Sequence, residues 1–455
     1  MQAIGQHFSF LDKEFVKKFL AIALPIAATS LINFGVKAVD TLMLGIVGEV
    51  QLSASALANQ LSLMFLIFSS GVGAGCGVLA SQYWGAGDKQ RVREIFAFMY
   101  RLMMSVNILF GAIAFFAPHI VLGIMTTDPE VIVYGTMYLR IMSAAYLVSG
   151  LTTASVVLLR SVGVVKMPMV VYSVSLVISA SLGFVLIFGH LGLPALGIRG
   201  AAIATATARF VEVIIISVYI FRVDKTLEFR VRDLFGRVGK VARGFAQFGM
   251  PVVLNEALWA VAFFVLHVII GRMGREFVAA NAIGGLIMQF NGMFVFSVAS
   301  AMAVIIGNTI GEGRYERAQK IANGMLIISF LIGLVCAAIV QIIRVPFVNF
   351  YNLSDVAHMY AMQITNIISV NVIFVSVALI SLMGTLRGGG DGKFVMIVDV
   401  IFMILIAIPL GAYTGLVLGW PVWIVFIILR SEDFFKTIII LWRVPRGKWI
   451  RDVMR

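Results

Sequence analysis

The chain has 455 residues, of which 61% are hydrophobic and 13% charged, and its mean hydropathy is +1.01. Soluble domains carry about a quarter charged residues, so this balance excludes a soluble globular protein. The formal net charge of +13 would point to nucleic acid in a soluble chain; here the basic residues gather in alternate short loops, which is a topology signal.

The opening stretch, "MQAIGQHFSFLDKEFVKK", lacks the short basic region, short apolar core and small-residue cleavage site of a signal peptide. The first span is therefore expected to serve as its own insertion signal. Apolar runs then recur along the whole chain and predict about twelve membrane-spanning helices of roughly 20 residues each. Their centres fall near Ile32, Phe68, Asn107, Ala145, Ile178, Ala208, Ala260, Val295, Ile328, Val370, Ile404 and Phe426. Cys76 and Cys336 lie in apolar spans far apart, which excludes a disulfide framework and argues against a metal site.

One set of loops holds "GDKQRVRE", Arg160 with Lys166, the long basic stretch after Phe221, "GEGRYERAQK", Arg387 with Lys393, and the tail "RVPRGKWIRDVMR". The alternate set is poor in lysine and arginine, with scattered cases such as Arg199, Arg272, Arg275 and Arg344. Basic loops stay on the cytoplasmic side, so both termini are expected there, in a multi-pass protein of the cell (inner) membrane. An even number of spans agrees.

The two halves match. At a shift of 226 positions Pro25 falls on Pro251, Gly45 on Gly271, Gly48 on Gly274, Gly85 on Gly311, Gly87 on Gly313 and Arg91 on Arg317. With one further residue of shift, Asp128 meets Asp355, while Arg160, Gly163 and Lys166 meet Arg387, Gly390 and Lys393, and Pro194 meets Pro421. The expected fold is an all-α polytopic membrane protein of two six-helix lobes. Each repeat holds an even number of spans, so a pseudo-two-fold axis along the membrane normal relates them. The N-lobe is assigned to residues 1–221, a basic cytoplasmic linker to 222–245 and the C-lobe to 246–455.

Four stretches carry a family resemblance: "LPIAATSLINFGVKAVDTLMLG", "ASQYWGAGDKQRVRE", "AVIIGNTIGEGRYERA" and "GTLRGGGDGKF". Together they resemble the MATE (multidrug and toxin extrusion) family of the MOP superfamily over nearly the whole chain. "PVVLNEALWA" and "DVIFMILIAIPLG" look most like its bacterial branch. The resemblance implies an antiporter, not an enzyme: two bundles alternate access and export amphipathic, cationic drugs or metabolites in exchange for H⁺ or Na⁺. Many relatives complete a cation site on the helix 1 aspartate with an Asn and an Asp one turn apart in helix 5. Here Ser179 and Gly183 stand at those positions, so that site is incomplete. Another branch carries a glutamate where this chain has Trp259, and Glu256 lies three residues earlier.

Ionisable residues inside spans are costly and usually face the bundle interior or a water-filled cavity. Asp40 shares one helical stripe with Ser30, Asn33 and Lys37. It could cycle a proton or gate a lobe, or it could pair permanently with Lys37; an ammonium one turn away favours the charged carboxylate and works against proton carrying. Glu256 has no basic residue within a turn, so burial favours the neutral acid that a proton carrier requires. If Asp399 faces Glu256, the two could share a proton or supply hard oxygen ligands to Na⁺; alternatively they are separate acids satisfied by Ser or Asn neighbours. Glu256, Asp399 and Asp40 are thus the candidate coupling residues. Asn33, Lys37, Asn59, Asn255, Trp259, Asn281, Gln289 and Asn371 are candidates to line the substrate cavity.

Glu212 with Arg209 three residues away reads as a structural ion pair, Asp391 beside Arg387 and Lys393 as a loop clasp, and His267 as a satisfied core residue. "GVGAGCG" and "LRGGGDG" lack the strand–turn–helix context and the Lys-Ser/Thr of a phosphate loop, which excludes ATP-driven transport within this chain. The expected partners are the lipid bilayer and a small amphipathic substrate, with no nucleic acid, no cofactor and no second copy of the chain. A lipid-linked saccharide flippase of the same superfamily is the alternative reading, and a membrane-embedded enzyme is a remote one.

Overall fold

In the computed structural model the chain is described over residues 13–236, 239–351 and 353–454. Most of the stretch weighed as a signal peptide lies outside them. Among the described residues the structure is helical and contains no strand. The long helices are α1 (Lys13–Val47), α2 (Glu49–Gly85), α3 (Lys89–Phe116), α4 (Pro129–Ser161) and α5 (Lys166–Phe188). They continue as α6 (Ile198–Val223), α7 (Gly239–Arg272), α8 (Arg275–Gly311), α9 (Tyr315–Asn349), α10 (Asp355–Leu386), α11 (Gly392–Val417) and α12 (Val422–Arg443). The first eleven are long and apolar enough to cross a membrane. The span expected around Phe426 is α12, 22 residues long, and it differs in carrying Arg430, Glu432, Asp433 and Lys436 in its interior.

Helix ends follow local chemistry. Asp128 caps α4 by accepting from the Glu130 amide at 2.9 Å, with Pro129 at the first helical position, where a missing N–H costs nothing. In the second repeat the capping role passes to Ser354, and Asp355 sits in the first turn of α10. The matched glycines keep matched backbones. Gly87 and Gly313 have φ of +78° and +74°, and Gly163 and Gly390 have +83° and +84°, a left-handed conformation open mainly to glycine. The repeat read from the sequence is thus also a repeat of backbone geometry.

The chain divides into two compact units. One holds Leu24–Ala80 and Asp88–Val253; the other holds Ser81–Gly87 and everything from Leu254 on, with the start of α1 up to Ala23. In the first unit the core gathers Leu61, Phe65, Phe110, Leu139, Tyr146 and their neighbours from α2, α3 and α4. In the second it gathers Phe277, Ile364, Ile368, Val425 and Phe426 from α8, α10 and α12. Within that second unit the last turn of α2 and the last turn of α8 approach reciprocally. A Cβ on Gly85 would collide with the Asn308 carbonyl oxygen, and one on Gly311 would collide with the Gln82 carbonyl oxygen.

Each unit also holds a strap, one following α6 and the other α12. After α6, the Leu227 carbonyl accepts from Arg93 Nε at 2.6 Å, and Phe229 is buried against Phe96 with ring centroids 4.6 Å apart. After α12, the Val444 carbonyl accepts from Gln319 Nε2 at 2.8 Å, and Trp449 is buried with its Nε1 donating to Val444 O at 3.0 Å. Arg93 and Gln319 are repeat equivalents. The second strap goes further: Arg451 N donates to Gly389 O at 2.8 Å and Val453 N to Gln82 Oε1 at 3.0 Å. Arg443 and Arg451 hold the fully buried Asp391 at 2.7 and 2.9 Å. Asp391 is therefore a clasp, but its partners come from α12 and the strap and not from Arg387 and Lys393.

Candidate functional site

The second unit contains a cavity of about 530 Å³, within the range of small-molecule sites. Trp259, Phe263, Leu266, Met288, Leu379 and Met383 supply an apolar wall; Asn281, Gln289, Asp399, Arg430, Glu432, Asp433 and Lys436 supply the polar side. Its lining thus carries three carboxylates and two cations.

α7, α11 and α12 converge on Asp399. Its Oδ2 accepts from Asn255 Nδ2 at 2.8 Å and from Trp259 Nε1 at 3.2 Å, and its Oδ1 lies 2.7 Å from Lys436 Nζ. Lys436 is itself shared, standing 2.7 Å from Glu432 Oε2 one turn earlier on α12 and 5.5 Å from the centroid of the Trp259 ring. Lys436, Asp399 and Glu432 are all buried, and a buried charge persists only when paired and hydrogen-bonded. Asp433 receives Asn371 Nδ2 at 3.1 Å. The α11 backbone changes character at this point: a run of wide, π-type turns spans Val400–Ala407, directly after Asp399. A similar run spans Ile380–Leu386, directly before Arg387. Such insertions into α-helices are frequent at functional sites.

Glu256 differs from the expectation. It has no basic neighbour in sequence, yet Arg387 reaches it from α10 at 2.6 Å. The pair spans 131 positions, beyond any local spacing rule. Asp399 and Glu256 therefore have separate cations, and no hydrogen bond joins the two acids among the described residues. His267 is exposed, contributes to the cavity wall and holds the Phe263 carbonyl at 2.8 Å through Nδ1, so it is not a core residue.

In the first unit Asp40 meets Ser179 Oγ at 3.4 Å and Thr205 Oγ1 at 3.3 Å. The permanent pair of Lys37 with Asp40, one of the two alternatives above, is not seen: no ion pair of Lys37 occurs among the described residues, and its side chain is exposed. Arg209 instead closes on Glu212 at 2.7 Å, as that spacing predicted, and Ser175 donates to the same carboxylate. Of the expected cavity residues, Trp259, Asn281 and Gln289 line the cavity. Asn255 and Asn371 stand behind it, holding its acids. Asn33 is half-buried and Asn59 exposed in the first unit. The charges of α12 escaped the sequence reading, although "LRSEDFFK" inside an otherwise apolar helix was the signal that could have found them.

A family model described as MatE matches residues 25–185 and 251–413, one segment per repeat. The probable multidrug resistance protein NorM of Neisseria meningitidis is 26% identical over 353 residues, covering 76% of this chain and 75% of that protein. The multidrug resistance protein MdtK of Yersinia pestis is 22% identical over 403 residues, covering 88% of both. Among solved structures, the outward-facing conformation of a multidrug resistance MATE family transporter of the MOP superfamily superposes with a TM-score of 0.85 at 18% identity, covering 95% of this chain and 96% of that one. The Vibrio cholerae MATE transporter VcmN in its bent form gives 0.85 at 15% identity, covering 97% of this chain and 98% of that one. Those identities speak for the fold alone. The match over both repeats carries the assignment: this chain belongs to the MatE family, and it is a multi-pass membrane transporter, not an enzyme.

Proposed function

We propose that the protein is a secondary antiporter of the cell (inner) membrane, with both termini cytoplasmic, that exports amphipathic cationic compounds in exchange for H⁺ or Na⁺ by alternating access of its two lobes. The observation that carries this reading is the cavity itself, in which an aromatic and methionine wall faces a polar side with more carboxylates than cations. A flat organic cation finds stacking surface on Trp259 and Phe263 and negative charge beside it. The same excess of acid speaks against a lipid-linked pyrophosphate as cargo. NorM and MdtK are described as multidrug resistance proteins, which fits an export role.

Energy coupling is assigned to Asp399 with its partners Lys436 and Glu432, supported by Glu256 on Arg387 and by Asp40 in the first unit. A proton arriving at Asp399 or Glu432 would loosen Lys436, and an entering cation would compete with that ammonium for the same oxygens. Na⁺ would need the same oxygens, so it too must displace Lys436.

The test is efflux from proteoliposomes under an H⁺ gradient and a Na⁺ gradient imposed separately. Wild type should respond to one of them, and Asp399→Asn should lose that response while remaining folded. Gradient-driven efflux unchanged in Asp399→Asn would overturn the assignment.

A further inference from the structure

Arg430 and Asp433 border the same cavity three residues apart on α12, a spacing at which opposite charges ordinarily pair. Among the described residues no hydrogen bond or close ion pair joins them here. Lys436 is bonded to Asp399 and Glu432, while the Asp433 carboxylate accepts from the Asn371 amide. Arg430 makes no hydrogen bond or ion pair among the described residues: its Nε is buried without a partner, and its guanidinium rests 5.6 Å from the Phe426 ring centroid. A cation left this way inside a membrane protein is costly unless something binds it.

We propose that Arg430 is an anion-recognition residue and that the cavity accepts zwitterionic substrates, with a carboxylate on Arg430 and a cationic group beside Asp433. This rests on the reading of the cavity as the substrate site. The guanidinium offers a planar fork that matches a carboxylate through two parallel hydrogen bonds, and Asp433 supplies the opposite charge close by. Trp259, Phe263 and Met288 are placed to hold the aromatic body between the two poles. Arg430 thus selects among amphipathic compounds that share a positive charge.

The experiment compares equilibrium binding, by fluorescence polarisation on the purified full chain, of a rhodamine dye bearing a free carboxylate and of its methyl ester. Wild type should bind the free acid about tenfold or more tightly than the ester, the size of one charge-assisted bond. Arg430→Gln should erase that preference, and Asp433→Asn should weaken both dyes alike. A wild type that binds both dyes equally, or prefers the ester, overturns the proposal without reference to any variant. A preference that survives in Arg430→Gln overturns it as well. Efflux is read separately with the methyl ester: binding preference without gradient-driven efflux refutes the antiport reading and leaves Arg430 as the anion site.

Discussion

Lys436 and Arg209 stand at the same position of the two repeats, each inside the last helix of its half and each holding a carboxylate. Arg209 closes on Glu212 of its own helix. Lys436 reaches across to Asp399 on α11 as well as back to Glu432. The same repeat position thus holds a cation that makes a local pair in one half and a junction between helices in the other, beside the cavity.

Removing the junction should be expensive. Lys436→Met leaves two buried carboxylates without their cation, a defect worth about 3–5 kcal/mol. Chemical unfolding in detergent should show that loss, and adding Glu432→Gln should recover part of it by removing one of the stranded charges.

Gly85 and Gly87 are neighbours with different reasons to be glycine. A Cβ at Gly85 meets the Asn308 backbone, which cannot move aside, whereas one at Gly87 meets open space. Gly85→Ala should prevent normal assembly or lower the melting temperature severely. Gly87→Ala should cost only about 1 kcal/mol for its left-handed backbone. The same contrast is expected between Gly311 and Gly313.

Trp449 fills its site completely, so Trp449→Ala should lose about 3–5 kcal/mol and expose the segment after α12 to limited proteolysis. Phe229→Ala should release the strap after α6 in the same way, with the cleavage appearing near residue 229 instead.

Lys37 contributes little to Asp40, and Lys37→Met should change stability by less than about 1 kcal/mol. The Ser179→Ala, Thr205→Val double variant should matter more, since it strips the hydrogen bonds that Asp40 receives. Comparative unfolding of the two variants distinguishes them.

What the sequence revealed follows the range of the interactions concerned. Spans, loops and the repeat depend on composition and fixed offsets, and the paired positive φ of Gly163 and Gly390 shows how faithfully offsets became geometry. The Arg209–Glu212 pair was legible because it lies within one turn. Glu256 and Arg387 were not joined in the sequence reading because a partner 131 positions away leaves no local trace. Lys37 and Asp40 have the same spacing as Arg209 and Glu212 but form no ion pair among the described residues, so nearness in sequence permits such a bond without ensuring it. The α12 charges were overlooked because a helix centred on Phe426 read as apolar on average, and an average hides a charged face.

The strap after α12 has a consequence for how the protein is made. Asp391 is made before α11 and α12, whereas Trp449, Arg451 and Val453 leave the ribosome only after every helix has been synthesised. Until they arrive, Gln82 and Asp391 lack the partners that close their site. The second unit therefore finishes folding after translation has passed residue 453, and quality-control proteases would meet any chain stalled before that point with its last strap still undocked.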